Sequence, residues 1–322
     1  MNSSDFFSRR AGMTLAGMAA SCRKPLALAI GVFDGVHCGH RKLLNEVAAM
    51  AQQLNAVPAA LTFDPHPRSV LLPSAPPVLL VDLPERIRLL KAAGAEMVAV
   101  ADFTPDFAAT EPNDFLDMLF TELPDLAAVG VGSRWRFGKN GAGNVDLLKK
   151  YAEKRGFQLA AVDEQIIDNE IVSASRIRQL IAGGNLECAG QLLGYRYALV
   201  GSVAGGYQIA SSRLDCPTAN IEPAAGVLPP DGVYSGIVEV DDQRYAAAVN
   251  IGVAPTYGRV ADTRRRIEAH LLNFSGNLYG KRLRLELGEY LRCEQCFPNE
   301  EALKRQIACD VEKIRQWAEN KL

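Results

Sequence analysis

Two histidines stand three residues apart in the stretch LALAIGVFDGVHCGHRKLL, residues 26–44, with Gly31, Gly35 and Gly39 around them. Imidazoles so placed donate hydrogen bonds to phosphate oxygens, and Gly35 and Gly39 let a phosphate approach the backbone closely. Preorganised donors of this kind stabilise charge as it moves onto a departing pyrophosphate, with no covalent intermediate. Such chemistry needs a strand that turns into a helix. Residues 26–30 are a short uninterrupted apolar run, the signature of a central parallel strand, and Leu43, Leu44, Val47, Met50, Ala51 and Leu54 recur at helical spacing. His37 and His40 therefore fall where the helix begins, in front of unpaired N–H groups and the positive end of the dipole. Taken alone, HxGH fits equally two turn histidines satisfied by backbone carbonyls.

The rest of the chain must hold that turn in place. Residues 57–63 read as a strand stopped by Asp64-Pro65-His66-Pro67. A helix over 83–93, a strand over 97–100, a helix over 112–123, a strand over 127–131 and a helix over 145–155 follow. This alternation predicts an α/β domain, with the turns at 31–40, 64–68 and 132–143 sharing one cleft beyond the carboxyl ends of the strands. From Tyr197 the pattern changes to short β-type runs over 197–203, 232–240, 244–251, 267–272 and 282–287, then a helix with Leu303, Ile307, Val311 and Ile314 on one face. That set predicts a small closed barrel plus a terminal helix. A helical segment over 175–193 joins the halves. A chain of 322 residues is long for one core, and the expected domains are 1–194 and 195–322.

Composition excludes some classes. Lysine and arginine number 35 against 37 acidic residues, spread along the chain, so neither a nucleic-acid stripe nor a membrane-binding patch is indicated. No apolar run approaches the roughly 20 residues of a membrane span. Ser8-Arg9-Arg10, a mildly apolar stretch over 11–21 and Cys22 faintly mimic an export signal; the plainer reading is a leading arm. Seven cysteines, odd in number and scattered, point to a reducing compartment, and hence to the cytoplasm. Cys293-Glu-Gln-Cys296 is half a zinc site at best and reads as chance spacing.

The string Gly31-Val-Phe-Asp-Gly-Val-His-Cys-Gly-His40 resembles the GxFDGxHxGH signature of HIGH-type nucleotidyltransferases, specifically the bacterial bifunctional riboflavin kinase and FAD synthetase family. Leu61-Thr-Phe-Asp-Pro-His-Pro67 is similar to the family's TFxPHP turn, Trp135-Arg-Phe-Gly138 to the end of its GxDFRFG segment, and Val172-Ser-Ala-Ser-Arg-Ile-Arg178 to SSTxIR. Pro217-Thr-Ala-Asn220 resembles the PTAN motif of riboflavin kinases, and the likeness continues through 250–256, 278–281 and Leu291-Arg292. The resemblance implies a Rossmann-like FMN adenylyltransferase domain followed by a riboflavin kinase barrel. By the same resemblance Gly31, Phe33, Asp34, Gly35, His37, Gly39, His40, Ser173, Ser175 and Arg178 bind ATP and phosphate, while Phe63, Pro65, Pro67, Phe137 and Arg292 contact flavin. Thr218 and Asn220 hold Mg²⁺ with ATP, and Glu268 is the base for the riboflavin 5′-hydroxyl. The implied ligands are riboflavin, FMN, FAD and ATP.

Four positions depart from the family pattern. Arg134 stands where an acidic or amide residue is usual and would repel magnesium, and Ala174 lacks a hydroxyl. Ser211 and Asp215 replace two glycines of the kinase flap, and Asp215 brings a negative charge toward a triphosphate. Two rival readings follow: a chain that only adenylylates FMN, and a flavin-binding paralogue without turnover.

Overall fold

The computed structural model describes residues 13–204, 218–241, 243–253, 265–319 and 321–322. The chain forms two compact units, Met1–Val78 with Leu83–Ala174, and Leu79–Asp82 with Ser175–Leu322.

The first unit is built on five strands, β1 (Leu26–Ile30), β2 (Val57–Asp64), β3 (Met97–Asp102), β4 (Leu126–Gly132) and β5 (Gln158–Val162). All pair in parallel, in the order β3-β2-β1-β4-β5. Every residue of the central strand β1 is buried, as an apolar run without alternation requires when both faces are covered. The strand order reverses between β1 and β4, which makes the crevice beyond their carboxyl ends the place where a ligand collects.

Helices α1 (Leu15–Ser21), α2 (Cys38–Gln53), α3 (Pro67–Leu71), α4 (Leu83–Ala92), α5 (Pro105–Ala108), α6 (Pro112–Glu122) and α7 (Val145–Arg155) flank these strands. The apolar face of α2 buries Leu43, Leu44, Val47, Met50 and Ala51. Gly130 of β4 carries no side chain where Val47 packs; a Cβ there would come closer than 3.0 Å to it. The described part of the expected leading arm, from Met13 onward, is instead part of the core. Thr14 caps α1 by accepting from the Gly17 N–H at 2.9 Å, Leu15 and Met18 are fully buried, and Met13 bridges to Ala99 of β3. A two-stranded hairpin, β6 (Ile166–Ile167) and β7 (Glu170–Ile171), closes the unit.

In the second unit the single helix expected over 175–193 is two, α8 (Ala174–Ala182) and α9 (Leu186–Leu193). Gly184 takes φ 82°, a left-handed conformation that ends a helix, and Asn185 caps the next by accepting from the Cys188 N–H at 3.1 Å. A closed barrel follows, formed by β8 (Ala198–Ala204), β9 (Ala219–Ala225), β10 (Gly232–Val240), β11 (Gln243–Val253), β12 (Arg265–Leu271) and β13 (Arg282–Arg292) in the order β10-β11-β12-β9-β8-β13. The terminal helix α10 (Glu300–Ala318) packs Ile314, Trp317 and Ala318 with Ile237, Ala246 and Leu272. No described helix is long and apolar enough to cross a membrane.

Candidate active sites

Between β1 and α2 the backbone turns sharply, with Phe33, Gly35 and Val36 at φ 55°, 75° and 39°. Glycine adopts such angles freely, whereas Phe33 and the β-branched Val36 each store about 1–3 kcal/mol of strain that the surrounding packing must outweigh. Residues 33–36 are all buried. The turn delivers His37 as the N-cap of α2, making no side-chain hydrogen bond to the helix, and His40 in its first turn. The two imidazoles stack at 3.7 Å between centroids and 16° between planes, and the Phe33 ring meets His40 edge-on at 5.2 Å. A Cβ on Gly31 would lie 3.0 Å from the Phe33 ring, and one on Gly39 3.3 Å from His37. These two glycines, expected among the phosphate-binding residues, therefore also make room for the rings.

Nδ1 of His37 and Nδ1 of His40 are buried without a hydrogen-bond partner. Burial lowers the His37 pKa to about 4. Burial also pushes His40 well below the usual histidine range, and its neighbours His37 and Arg86 act in the same direction. Both rings are thus neutral at pH 7, each with one N–H to donate. Arg86, on α4, was not singled out by the sequence reading. It is 0% exposed, and its Nη1 donates to the Phe63 carbonyl at 2.7 Å and to Thr62 Oγ1 at 3.3 Å. Thr62 Oγ1 in turn donates to the Val32 carbonyl at 2.9 Å. One guanidinium so ties the turn after β1 to the end of β2. The signal was present: Leu83, Arg86 and Leu90 share one helical face, and a charge on an apolar stripe asks for a reason.

Phe63 and Phe137 both lie in the core of the first unit. They are joined by ring contacts through Phe107 and Phe115, at 6.1 Å for Phe63–Phe107 and Phe107–Phe115 and 5.6 Å for Phe115–Phe137. Trp135 stacks on Phe137 at 4.5 Å and 19° and is only half-buried, so it is the ring of that pair with open surface. Arg134 does not stand alone: it pairs with Glu164, just beyond β5. Pro67 opens α3, where His66 Nδ1 accepts from the Arg68 N–H at 3.1 Å, and Pro65 is exposed in the preceding turn. Ser173 lies one residue before the end of the first unit at Ala174, while exposed Ser175 and half-buried Arg178 stand on α8 in the second.

In the barrel, Glu268 of β12 is paired with Asn220 of β9 on one side and Asn250 of β11 on the other. Residues directly opposite on adjacent strands point to the same face, so these form a row Asn–Glu–Asn, with Thr218 just ahead of β9. Burial raises the Glu268 pKa; Arg266 opposes this and the charge of Glu294 adds to it. Asn250 Nδ2 donates to Glu294 Oε1 at 2.8 Å, a contact the sequence reading did not anticipate. Arg292 donates through Nε to Asp310 Oδ2 at 2.9 Å and through Nη1 to the Cys293 carbonyl at 3.0 Å, fixing β13 to α10. Ser211 and Asp215 lie outside the described residues. Cys293 and Cys296 are free and exposed, and among the described residues no group of three His, Cys, Asp or Glu side chains could hold a metal ion.

Comparison with known proteins gives two consecutive family matches, FAD synthetase over residues 19–176 and riboflavin kinase over residues 193–318. The bifunctional riboflavin kinase/FMN adenylyltransferase of Pseudomonas fluorescens is 32% identical over 289 residues, covering 90% of this chain and 92% of that one. Its counterpart in Escherichia coli K12 is 32% identical over 291 residues, with the same coverage. A crystal structure described as a macrolide-efflux protein from Streptococcus pneumoniae superposes with a TM-score of 0.80 at 25% identity, over 98% of this chain and 97% of that one.

Proposed function

The chain belongs to the bifunctional riboflavin kinase/FMN adenylyltransferase family, and on that premise we propose that it phosphorylates riboflavin to FMN in the barrel and adenylylates FMN to FAD in the α/β module. The observation that carries this is the succession of the two family matches along one chain, FAD synthetase first and riboflavin kinase second. The functional boundary is proposed near Gly194, giving modules of residues 1–194 and 195–322; the start of the kinase match at 193 supports it.

For adenylyl transfer, residues 31–40 and the start of α2 receive the ATP phosphates. The N–H donors of neutral His37 and His40 stabilise the charge that develops on the departing pyrophosphate, aided by the helix N-terminus. Ser173, Ser175 and Arg178 add phosphate contacts, and the open face of Trp135 backed by Phe137 extends the flavin wall expected from Phe63, Pro65 and Pro67. For the kinase step, Glu268 takes the proton of the riboflavin 5′-hydroxyl; its burial makes it a stronger base than a solvated carboxylate. Thr218 and Asn220 would hold Mg²⁺ with the nucleotide. Their neutral oxygens beside Glu268 are the hard donors that magnesium prefers, and the ion would neutralise phosphate charge. Arg292 would contribute near the flavin, held in place by Asp310 of α10. Free thiols and the lack of a described spanning helix are in keeping with a cytoplasmic location.

Incubating the full chain with riboflavin, ATP and Mg²⁺ and separating the products by chromatography tests the proposal. FMN and FAD should both appear. FAD formed only when FMN is supplied would reduce the protein to an adenylyltransferase, and no turnover of either flavin would leave a binding protein.

A further inference from the structure

Glu294 follows β13 by two residues, and three observations place its carboxylate over the Glu268 row. Asn250 Nδ2 donates to its Oε1 at 2.8 Å. Gly252, two residues along β11 and so on the same face as Asn250, has no side chain where that carboxylate lies; a Cβ there would come closer than 3.0 Å to both carboxylate oxygens. The residues opposite Asn250 and Gly252 on β12 are Glu268 and Arg266. The carboxylate therefore sits on a patch made by two residues of β11, immediately beside the candidate general base.

We propose that Glu294 is a positioning residue of the kinase site: it fixes the Asn250 amide next to Glu268. This rests on the reading of Glu268 as the base for the riboflavin hydroxyl. With Nδ2 committed to Glu294, the amide oxygen of Asn250 is the atom left to face the Glu268 side of the row. Among the described residues, Asn220 from β9, Asn250 from β11 and Arg266 on its own strand also stand beside Glu268.

The test uses the full chain, with FAD formation from FMN as a control in the same molecule. Wild-type FMN formation, and its loss in Glu268→Gln, establish the reading on which the proposal stands; failure at that step overturns the base assignment and not the adenylyltransferase. Given that step, Glu294→Gln should lower kcat for FMN formation about fivefold, the effect of one such hydrogen bond. The KM for riboflavin should stay unchanged. Gly252→Ala, which displaces the carboxylate without altering its charge, should lower kcat in the same direction, and the double variant should be no worse than the more affected single one. An unchanged kcat in Glu294→Gln overturns the proposal, as do fully additive effects of the two substitutions. Equal losses of FMN and FAD formation overturn it too, because they would mark general damage to the protein.

Discussion

At the scale of single residues, the stacked histidines show how burial sets a binding chemistry. Two protonated imidazoles 3.7 Å apart would repel each other, and burial keeps both neutral. Each then acts as a directed N–H donor rather than as a charge. His37→Ala or His40→Ala should reduce FAD formation from FMN by about 10²–10³ in kcat, the loss expected for one preorganised donor, while FMN formation from riboflavin persists; steady-state rates of the two reactions in one preparation check this. The same burial makes a prediction about stability. The His37 pKa of about 4 in the folded protein lies below the 6.5 of a solvated histidine, so between these values the unfolded chain binds more protons. The contribution is fully present above pH 6.5 and is lost as pH falls toward 4, by about 3 kcal/mol from His37 alone. Urea unfolding at pH 7 and pH 5, followed by Trp135 fluorescence in a Trp317→Phe background, should show a fall that His37→Ala largely removes.

At the scale of elements, helices dock where glycines leave room for them. Val47 of α2 lies where Gly130 of β4 has no side chain, and Trp317 of α10 does the same over Gly288 of β13. Adding a side chain at such a contact typically costs about 1–3 kcal/mol. Gly130→Val should therefore weaken FAD formation while sparing FMN formation, and Gly288→Val should do the reverse, each with a lowered melting transition by calorimetry for its own unit. Elements with strong local signals were legible in the sequence: β1 from its unbroken apolar run, and α7 to the residue because Asn144 and Gly156 bracket it. β9 was not, since Pro223 and Glu222 interrupt its pattern and its place is fixed by pairing with β8 and β12, which lie far apart in sequence. The site followed the same rule. His37, His40 and Glu268 were readable as motif positions, whereas Arg86, Glu164 and Glu294 take their meaning from strands and helices that only the fold brings beside them.

At the scale of the whole molecule, the compact units do not follow the functional boundary. α8 and α9 cluster with the barrel although they precede Gly194, and they bury Ile177, Ile181, Ala189, Leu192 and Leu193. A fragment of residues 175–322 should accordingly unfold at a higher temperature than one of residues 195–322 and make FMN at a higher rate; circular dichroism melts and riboflavin phosphorylation compare the two. The short segment Leu79–Asp82 also belongs to the barrel unit, where Asp82 pairs with Arg282 at 2.5 Å. The chain thus leaves its first unit, contributes four residues to the second and returns to finish the first. During synthesis that segment emerges long before the rest of its unit: roughly ninety residues separate it from α8, on the order of ten seconds at about 5–20 residues per second. Throughout that interval Leu80 and Val81, buried in the finished protein, have no barrel to enter, so the nascent chain carries an apolar strap that a ribosome-associated chaperone is suited to shield.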